Sequence, residues 1–285
     1  ATQREIAPLE RWQRGLLVLF FAFGTVYFTL APRGRVWFTG QLVACLCVLL
    51  TYISALRFRG WKAFVFAGLA VAATAMTRNS MIFAAVWPAY YLIKEHWPLR
   101  WKRLAGYAVL GAAPVIAGVL LLGIYNLLRF GSFSDIGIDY HLMGAGFVND
   151  YKQYGYFNIH YIPVNIYYQY IFYPFPIRDD TFMGGSLFLL SPLFFASFWA
   201  FSRLSRDRII SNLILLLTIM LINVPILLLM GTGYVQFGPR YTLDFILPLL
   251  LLTAQGIPRW PRTVNILAVF LSIVQYTIGA VIKLP

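Results

Sequence analysis

The 23 Lys and Arg residues of this chain fall in clusters separated by apolar stretches long enough to cross a bilayer. Soluble domains carry about one quarter charged residues, whereas here charged residues make up 12% and hydrophobic residues 60%. A polytopic membrane protein follows, an all-α bundle, because helices satisfy their own backbone hydrogen bonds inside lipid. About 20 apolar residues at 1.5 Å each cover a hydrocarbon core. On that scale nine crossings are expected: Leu16 to Ala31, Val36 to Leu56, Ala63 to Thr77, Ser80 to Ile93, Leu104 to Leu128, Gly185 to Ser202, Ile209 to Met230, Tyr241 to Ile257 and Thr263 to Ile282.

Charge bias orients these spans. The clusters Arg57, Arg59, Lys62 and Lys94, Arg100, Lys102, Arg103 both belong inside, so the chain between them crosses twice and Arg78 emerges outside. With the amino terminus cytoplasmic, the inner loops carry 15 basic and four acidic residues, and the outer side eight basic and six acidic. The net charge of +13 is therefore a topology signal, and nucleic acid is not an expected partner.

Other chemistries have little in their favour. Cys45 and Cys47 are two apart on one helix, where side chains diverge. The three histidines, His96, His141 and His160, lack ligand spacing, so no metal site is expected. No phosphate loop, nucleophile elbow or dinucleotide fingerprint is present. The first fourteen residues are basic and mixed, unlike a signal peptide. Residues 1–285 read as a single transmembrane domain, the carboxy-terminal part of a longer protein or assembly.

The longest segment between spans, Phe130 to Met183, lies on the outer side and holds nine of the 18 tyrosines. Within it, Tyr161 to Tyr173 reads as a helix in the interface plane, with Ile162, Ile166, Tyr170 and Tyr173 on one face and Asn165 and Gln169 on another. It is either an aromatic anchoring belt or a shelf beside a cavity that admits a lipid.

Three outer positions each carry two readings. Arg78 is enclosed by apolar sequence: it snorkels from a helix end, or its planar fork holds a phosphate. Gly238-Pro239-Arg240-Tyr241 is a turn leading into a helix with Asp244 four residues after Arg240, a spacing that allows either an intrahelical pair or anion capture. Tyr125-Asn126 with Arg129-Phe130-Gly131 marks a helix exit, where Asn126 and Arg129 cap and snorkel or face the same outer cavity.

At these motifs the chain resembles the multi-spanning GT-C glycosyltransferases that use polyprenyl-phosphate sugars, including protein O-mannosyltransferases and lipid A aminoarabinose transferases. The resemblance rests on Phe23-Gly24-Thr25-Val26-Tyr27, Gly34-Arg35-Val36-Trp37-Phe38-Thr39-Gly40-Gln41, Gly68-Leu69-Ala70 through Met76-Thr77-Arg78-Asn79, and Tyr125-Asn126 with Arg129-Phe130-Gly131-Ser132. Ile162-Pro163-Val164-Asn165-Ile166-Tyr167, Ser191-Pro192 and Phe237-Gly238-Pro239-Arg240-Tyr241-Thr242-Leu243-Asp244 continue it. Members often have Pro where Asn79 stands.

The resemblance implies an integral protein of the bacterial inner membrane that moves a sugar from a polyprenyl-phosphate donor to an extracytoplasmic acceptor, without a cofactor. Arg78 and Arg240 would take the donor phosphate. Asn79, Asn126, Arg129, Asp139, His141, Tyr241 and Asp244 would line the substrate cavity, Asp139 and His141 meeting sugar or acceptor hydroxyls. In that family the base is an acid in the first outer loop. The loop Pro32 to Arg35 contains none, so the catalytic base is left unassigned: the missing helices belong either to a partner polypeptide or to a part of the protein outside this sequence. The competing expectation is a noncatalytic membrane subunit or lipid-binding protein of a larger complex.

Overall fold

The computed structural model describes residues 9–140, 143–202, 206–233 and 235–282, which are mostly helical. Helix α1 (Arg11–Phe23) begins at Glu10, which forms a reciprocal capping box with Gln13. It stops at Gly24, where a Cβ would lie 2.9 Å from the Phe20 ring and 3.0 Å from Ser272 Cβ. The chain resumes as α2 (Tyr27–Leu30), so the stretch expected as one span over residues 16–31 is two helices.

Helices α3 (Val36–Arg57) and α4 (Trp61–Thr77) form a tight antiparallel pair. A 3₁₀ segment, Asn79–Ala85, follows Arg78 and leads into α5 (Val86–His96). The long α6 (Trp101–Phe130) ends at Gly131, whose φ of 78° is the left-handed cap that glycine adopts without penalty. The long stretch after α6 contains α7 (Ala145–Tyr154) and a helical run over residues 159–171 that passes through α8 (Ile162–Ile166) into a π-turn. Then come α9 (Leu187–Leu190), a 3₁₀ segment Pro192–Phe201, α10 (Arg206–Leu227), a 3₁₀ turn Arg240–Phe245, α11 (Ile246–Gly256) and α12 (Arg262–Val281).

Among the described residues five segments are long and apolar enough to cross a membrane: Val36–Arg57, Trp101–Phe130, Arg206–Leu227, Arg240–Arg259 and Arg262–Val281. Trp61–Thr77 and Pro192–Phe201 are apolar but shorter. Residues 80–93 and 185–202, each expected as one crossing helix, are divided between 3₁₀ and α pieces, Pro192 falling where the second changes type. The outward faces are apolar, Leu128 being 83% and Val109 67% exposed, as lipid contact requires.

Lipid offers no hydrophobic drive between helices, so close packing of small residues must hold them. A methyl group on Gly68 of α4 would collide with the Gly111 carbonyl oxygen of α6, and Gly118 lies against Ala72 with only 3.1 Å for a Cβ. Gly256 approaches the Ala196 carbonyl in the same way. At the turn between α3 and α4, buried His96 donates from Nδ1 to the Leu92 carbonyl at 2.9 Å, while its Nε2 accepts the Gly60 N–H at 3.1 Å. That antiparallel turn places the start of α3 and the end of α4 at one end of the molecule. The turn before α11 joins them there.

Candidate functional site

The first turns of α3, the end of α4 and the turn Arg240–Phe245 meet at this end, joined by Tyr156 of the stretch after α7 and, through the Phe38 ring, by Arg35. The turn is positioned by a two-residue parallel ladder, β1 (Met183–Gly184) with β2 (Gln236–Phe237), extended by Gly238 donating to the Gly184 carbonyl at 3.1 Å. Gly238 has φ 85° and presses on the Tyr276 ring, where a Cβ would lie 3.0 Å away. Only glycine meets both demands, so Arg240 is delivered into the interior two residues later.

Arg240 is 5% exposed. Its Nη2 donates to the Tyr241 hydroxyl at 2.9 Å, and its guanidinium lies 4.6 Å from the Tyr241 centroid and 5.3 Å from that of Phe38. Its Nε and Nη1 are buried without a hydrogen-bond partner. Buried donors are normally paired, and although Asp244 acts on Arg240 through space it forms no ion pair with it.

Asp244 is the carboxylate of the cluster, and both its oxygens are engaged. Oδ2 receives Arg78 Nε at 2.6 Å and Oδ1 receives Gln41 Nε2, which also donates to the Arg240 carbonyl at 2.9 Å. The intrahelical Arg240–Asp244 pair allowed by their spacing is not formed. The segment is 3₁₀, with three residues per turn, so positions four apart no longer share a face. Asp244 instead fixes Arg78, whose guanidinium lies 5.4 Å from the Tyr241 ring.

Arg33 and Arg35 add to the cluster. Arg35 lies 5.8 Å from the centroid of Phe38, the ring that Arg240 also contacts. Arg33 and Arg35 each hold a buried Nη1 without a partner. Burial and then the neighbouring Arg35 pull the Arg33 guanidinium below its usual range. Tyr156 enters from the stretch after α7, held by backbone pairing of its carbonyl with Met230 N–H and of Asn158 N–H with the Leu228 carbonyl, both 2.9 Å. Burial and then Tyr241 push its phenol up, while Arg78 and Arg240 pull it down.

The structure thus joins Arg78, Arg240, Tyr241 and Asp244. Asn79 is exposed at the start of the 3₁₀ segment that follows Arg78. Asn126 is buried and donates to the Phe133 carbonyl at 3.4 Å, closing the exit of its helix. Arg129 donates to Tyr125 at 2.8 Å and lies over Tyr125 and Phe130, all on its own helix. Exposed Asp139 accepts from the Tyr151 hydroxyl, and His141 lies outside the described residues. Sequence reasoning missed Gln41, Phe38, Arg33, Arg35 and Tyr156 as site residues. Arg33 and Arg35 carried the same signal as Arg78, cations flanked by apolar spans, whereas nothing local marked Tyr156.

Farther along α4, between it, α5 and α6, Phe64, Ala67, Gly68 and Val71 line an apolar cavity of about 320 Å³ with Ala85 and with Ala112 of α6. Among the described residues no cluster of His, Cys, Asp and Glu suits a metal ion. The chain matches no model of a known protein family, no curated protein and no solved structure.

Proposed function

We propose that this chain is a polytopic membrane protein that binds a polyprenyl-phosphate-linked sugar by its phosphate and moves the sugar to an extracytoplasmic acceptor. The observation that carries this reading is Arg240, buried with two guanidinium nitrogens lacking acceptors, beside Arg78. Such a fork matches phosphate oxygens. The apolar cavity on the helix that ends at Arg78 suits the hydrocarbon of a lipid whose headgroup sits at the arginines.

In this proposal an acceptor hydroxyl attacks the anomeric carbon as the lipid phosphate departs, and the arginines stabilise the charge that develops on its oxygens. Asp244 orients Arg78, leaving the acceptor's proton to a base from another segment. The orientation proposed has the amino terminus in the cytoplasm, nine crossings with the shorter ones spanned by broken helices, and the loop helix at the outer surface.

One observation favours a second reading, a noncatalytic lipid-phosphate-binding subunit: the carboxylate among these arginines is committed on both oxygens. One experiment separates the two. In proteoliposomes holding a polyprenyl-phosphate sugar and an acceptor, sugar transfer that falls at least tenfold in both Arg240→Ala and Arg78→Ala supports the transferase. Binding of the lipid without transfer supports the subunit, and unchanged transfer in both variants removes the arginines from the site.

A further inference from the structure

The charge of the cluster is larger than a singly charged lipid phosphate needs. Arg78 and Arg240 both lie against Tyr241 near one carboxylate, Asp244, whose oxygens are taken by Arg78 and Gln41, while Arg35 shares the Phe38 ring with Arg240 and Arg33 neighbours Arg35. Among the described residues Arg33, Arg35 and Arg240 form no ion pair, although Asp244 acts on Arg240 through space. The four buried nitrogens without partners belong to those three: Arg33 Nη1, Arg35 Nη1, Arg240 Nε and Arg240 Nη1. The ring of Phe38 unites two of them, with Arg35 and Arg240 both lying against it.

Phosphate esters differ in what they offer such a set. A phosphodiester, which includes a sugar-loaded polyprenyl phosphate and every ordinary phospholipid, has two free oxygens and one negative charge. A phosphomonoester has three free oxygens and close to two charges at neutral pH, because its second proton leaves near pH ~6.

Resting on the phosphate-lipid reading above, we propose that the Arg33, Arg35 and Arg240 cluster selects a dianionic lipid phosphomonoester over singly charged phosphodiesters. The preferred ligand is then the lipid phosphate that has lost its sugar. A site with this preference binds the departing group more tightly as its second charge develops, which is the direction that lowers a barrier. It also resists occupation by the bilayer's own phospholipids, since discrimination by charge works against a large excess of wrong ligands. Inhibition by the released lipid phosphate follows from the same preference.

The charged and titratable groups of this region are Arg33, Arg35, Arg78, Arg240, Asp244, Tyr241, Tyr156 and Cys45. The Arg33→Gln with Arg35→Gln variant keeps Asp244, Tyr241 and Tyr156, so comparing its pH series with that of the wild type separates titration of the ligand from titration of those groups.

The test measures dissociation constants for the full chain in nanodiscs of zwitterionic lipid. The probes are undecaprenyl monophosphate, its glucosyl phosphodiester, neutral undecaprenol and inorganic phosphate. The monophosphate is expected to bind about tenfold more tightly than the phosphodiester at pH 8, with the ratio falling towards one at pH 5. Arg33→Gln with Arg35→Gln brings the ratio towards one at pH 8, and Arg129→Gln leaves it in place. Equal binding of both anionic lipids at pH 8 overturns the selectivity while leaving the phosphate-lipid reading intact. Anionic lipids that bind no better than undecaprenol overturn that reading itself. Inorganic phosphate competing at the concentration of the lipid overturns the lipid assignment, and the wild-type ratio at pH 8 decides the matter if the double variant does not fold.

Discussion

Arg78 donates from Nε to Asp244 at 2.6 Å, joining the end of one helix to the turn that begins another across 166 residues of sequence. Asp244 is fully enclosed, while the Arg78 side chain keeps 23% of its exposure. Removing the acid strands a cation; removing the cation strands a buried carboxylate, and the second is worse because that carboxylate has no route to water.

Arg78→Gln is accordingly expected to destabilise the fold by roughly 3 kcal/mol, and Asp244→Asn by less. The double variant should recover part of the loss, since neither charge is then left alone. Thermal unfolding in detergent supplies the numbers. Strict additivity of the two single losses would mean that the pair is not coupled.

The contact between α4 and α6 gives a sharper steric test. Gly68→Val drives a side chain into the Gly111 backbone, which cannot rotate away. We expect loss of folded protein on size exclusion, whereas Gly106→Ala, with open space around it, should leave yield and melting temperature unchanged. Normal folding of Gly68→Val would refute the packing.

The spans that are long and uniformly apolar, such as Val36–Arg57 and Arg262–Val281, were legible because burial in lipid needs nothing beyond length and composition. The breaks were not. Gly24 interrupts a run that reads as continuous because Ser272, far along the sequence, crowds it. Within the site, Arg78, Arg240 and Asp244 stood out as charges in apolar surroundings, but their pairing depended on 3₁₀ geometry that spacing alone does not reveal. Asn165 and Gln169, read as the polar face of a loop helix, are the buried face. Asn165 reaches the carbonyls closing α10, with Nδ2 2.8 Å from that of Leu229, a partner 64 residues away.

That contact is itself testable. Asn165→Leu keeps the volume and removes the donor, leaving the Leu227 and Leu229 carbonyls at the end of α10 unmet. A loss of about 1–2 kcal/mol is expected, with faster amide exchange confined to the end of α10 and the run 159–171. Exchange unchanged in both segments would rule out the link.

Sidedness is accessible to single-cysteine labelling after Cys45 and Cys47 are replaced. Gly238 is a poor probe because its backbone and packing both demand glycine, so exposed Asn79, Lys152 and Trp101 are better positions. A membrane-impermeant maleimide applied to whole cells should modify cysteines at 79 and 152 and spare the one at 101. Labelling at 101 with protection at 79 would reverse the orientation on which the functional proposal depends.

Arg240 separates a binding role from a structural one, because the two predict opposite signs. A buried guanidinium held for stability would have its donors met, and its loss would weaken the protein. Here Nε and Nη1 have no acceptor and the residue is 5% exposed, so Tyr241 and the nearby Asp244 offset only part of its desolvation cost in the ligand-free fold. Arg240→Met, similar in length and apolar, should therefore raise the stability of the ligand-free protein by about 1–3 kcal/mol. The same change should abolish the rise in melting temperature that polyprenyl phosphate gives the wild type. Thermal unfolding with and without the lipid measures both effects on one pair of proteins. A variant that is less stable without ligand would make Arg240 a structural residue, and one still stabilised by the lipid would place the phosphate elsewhere.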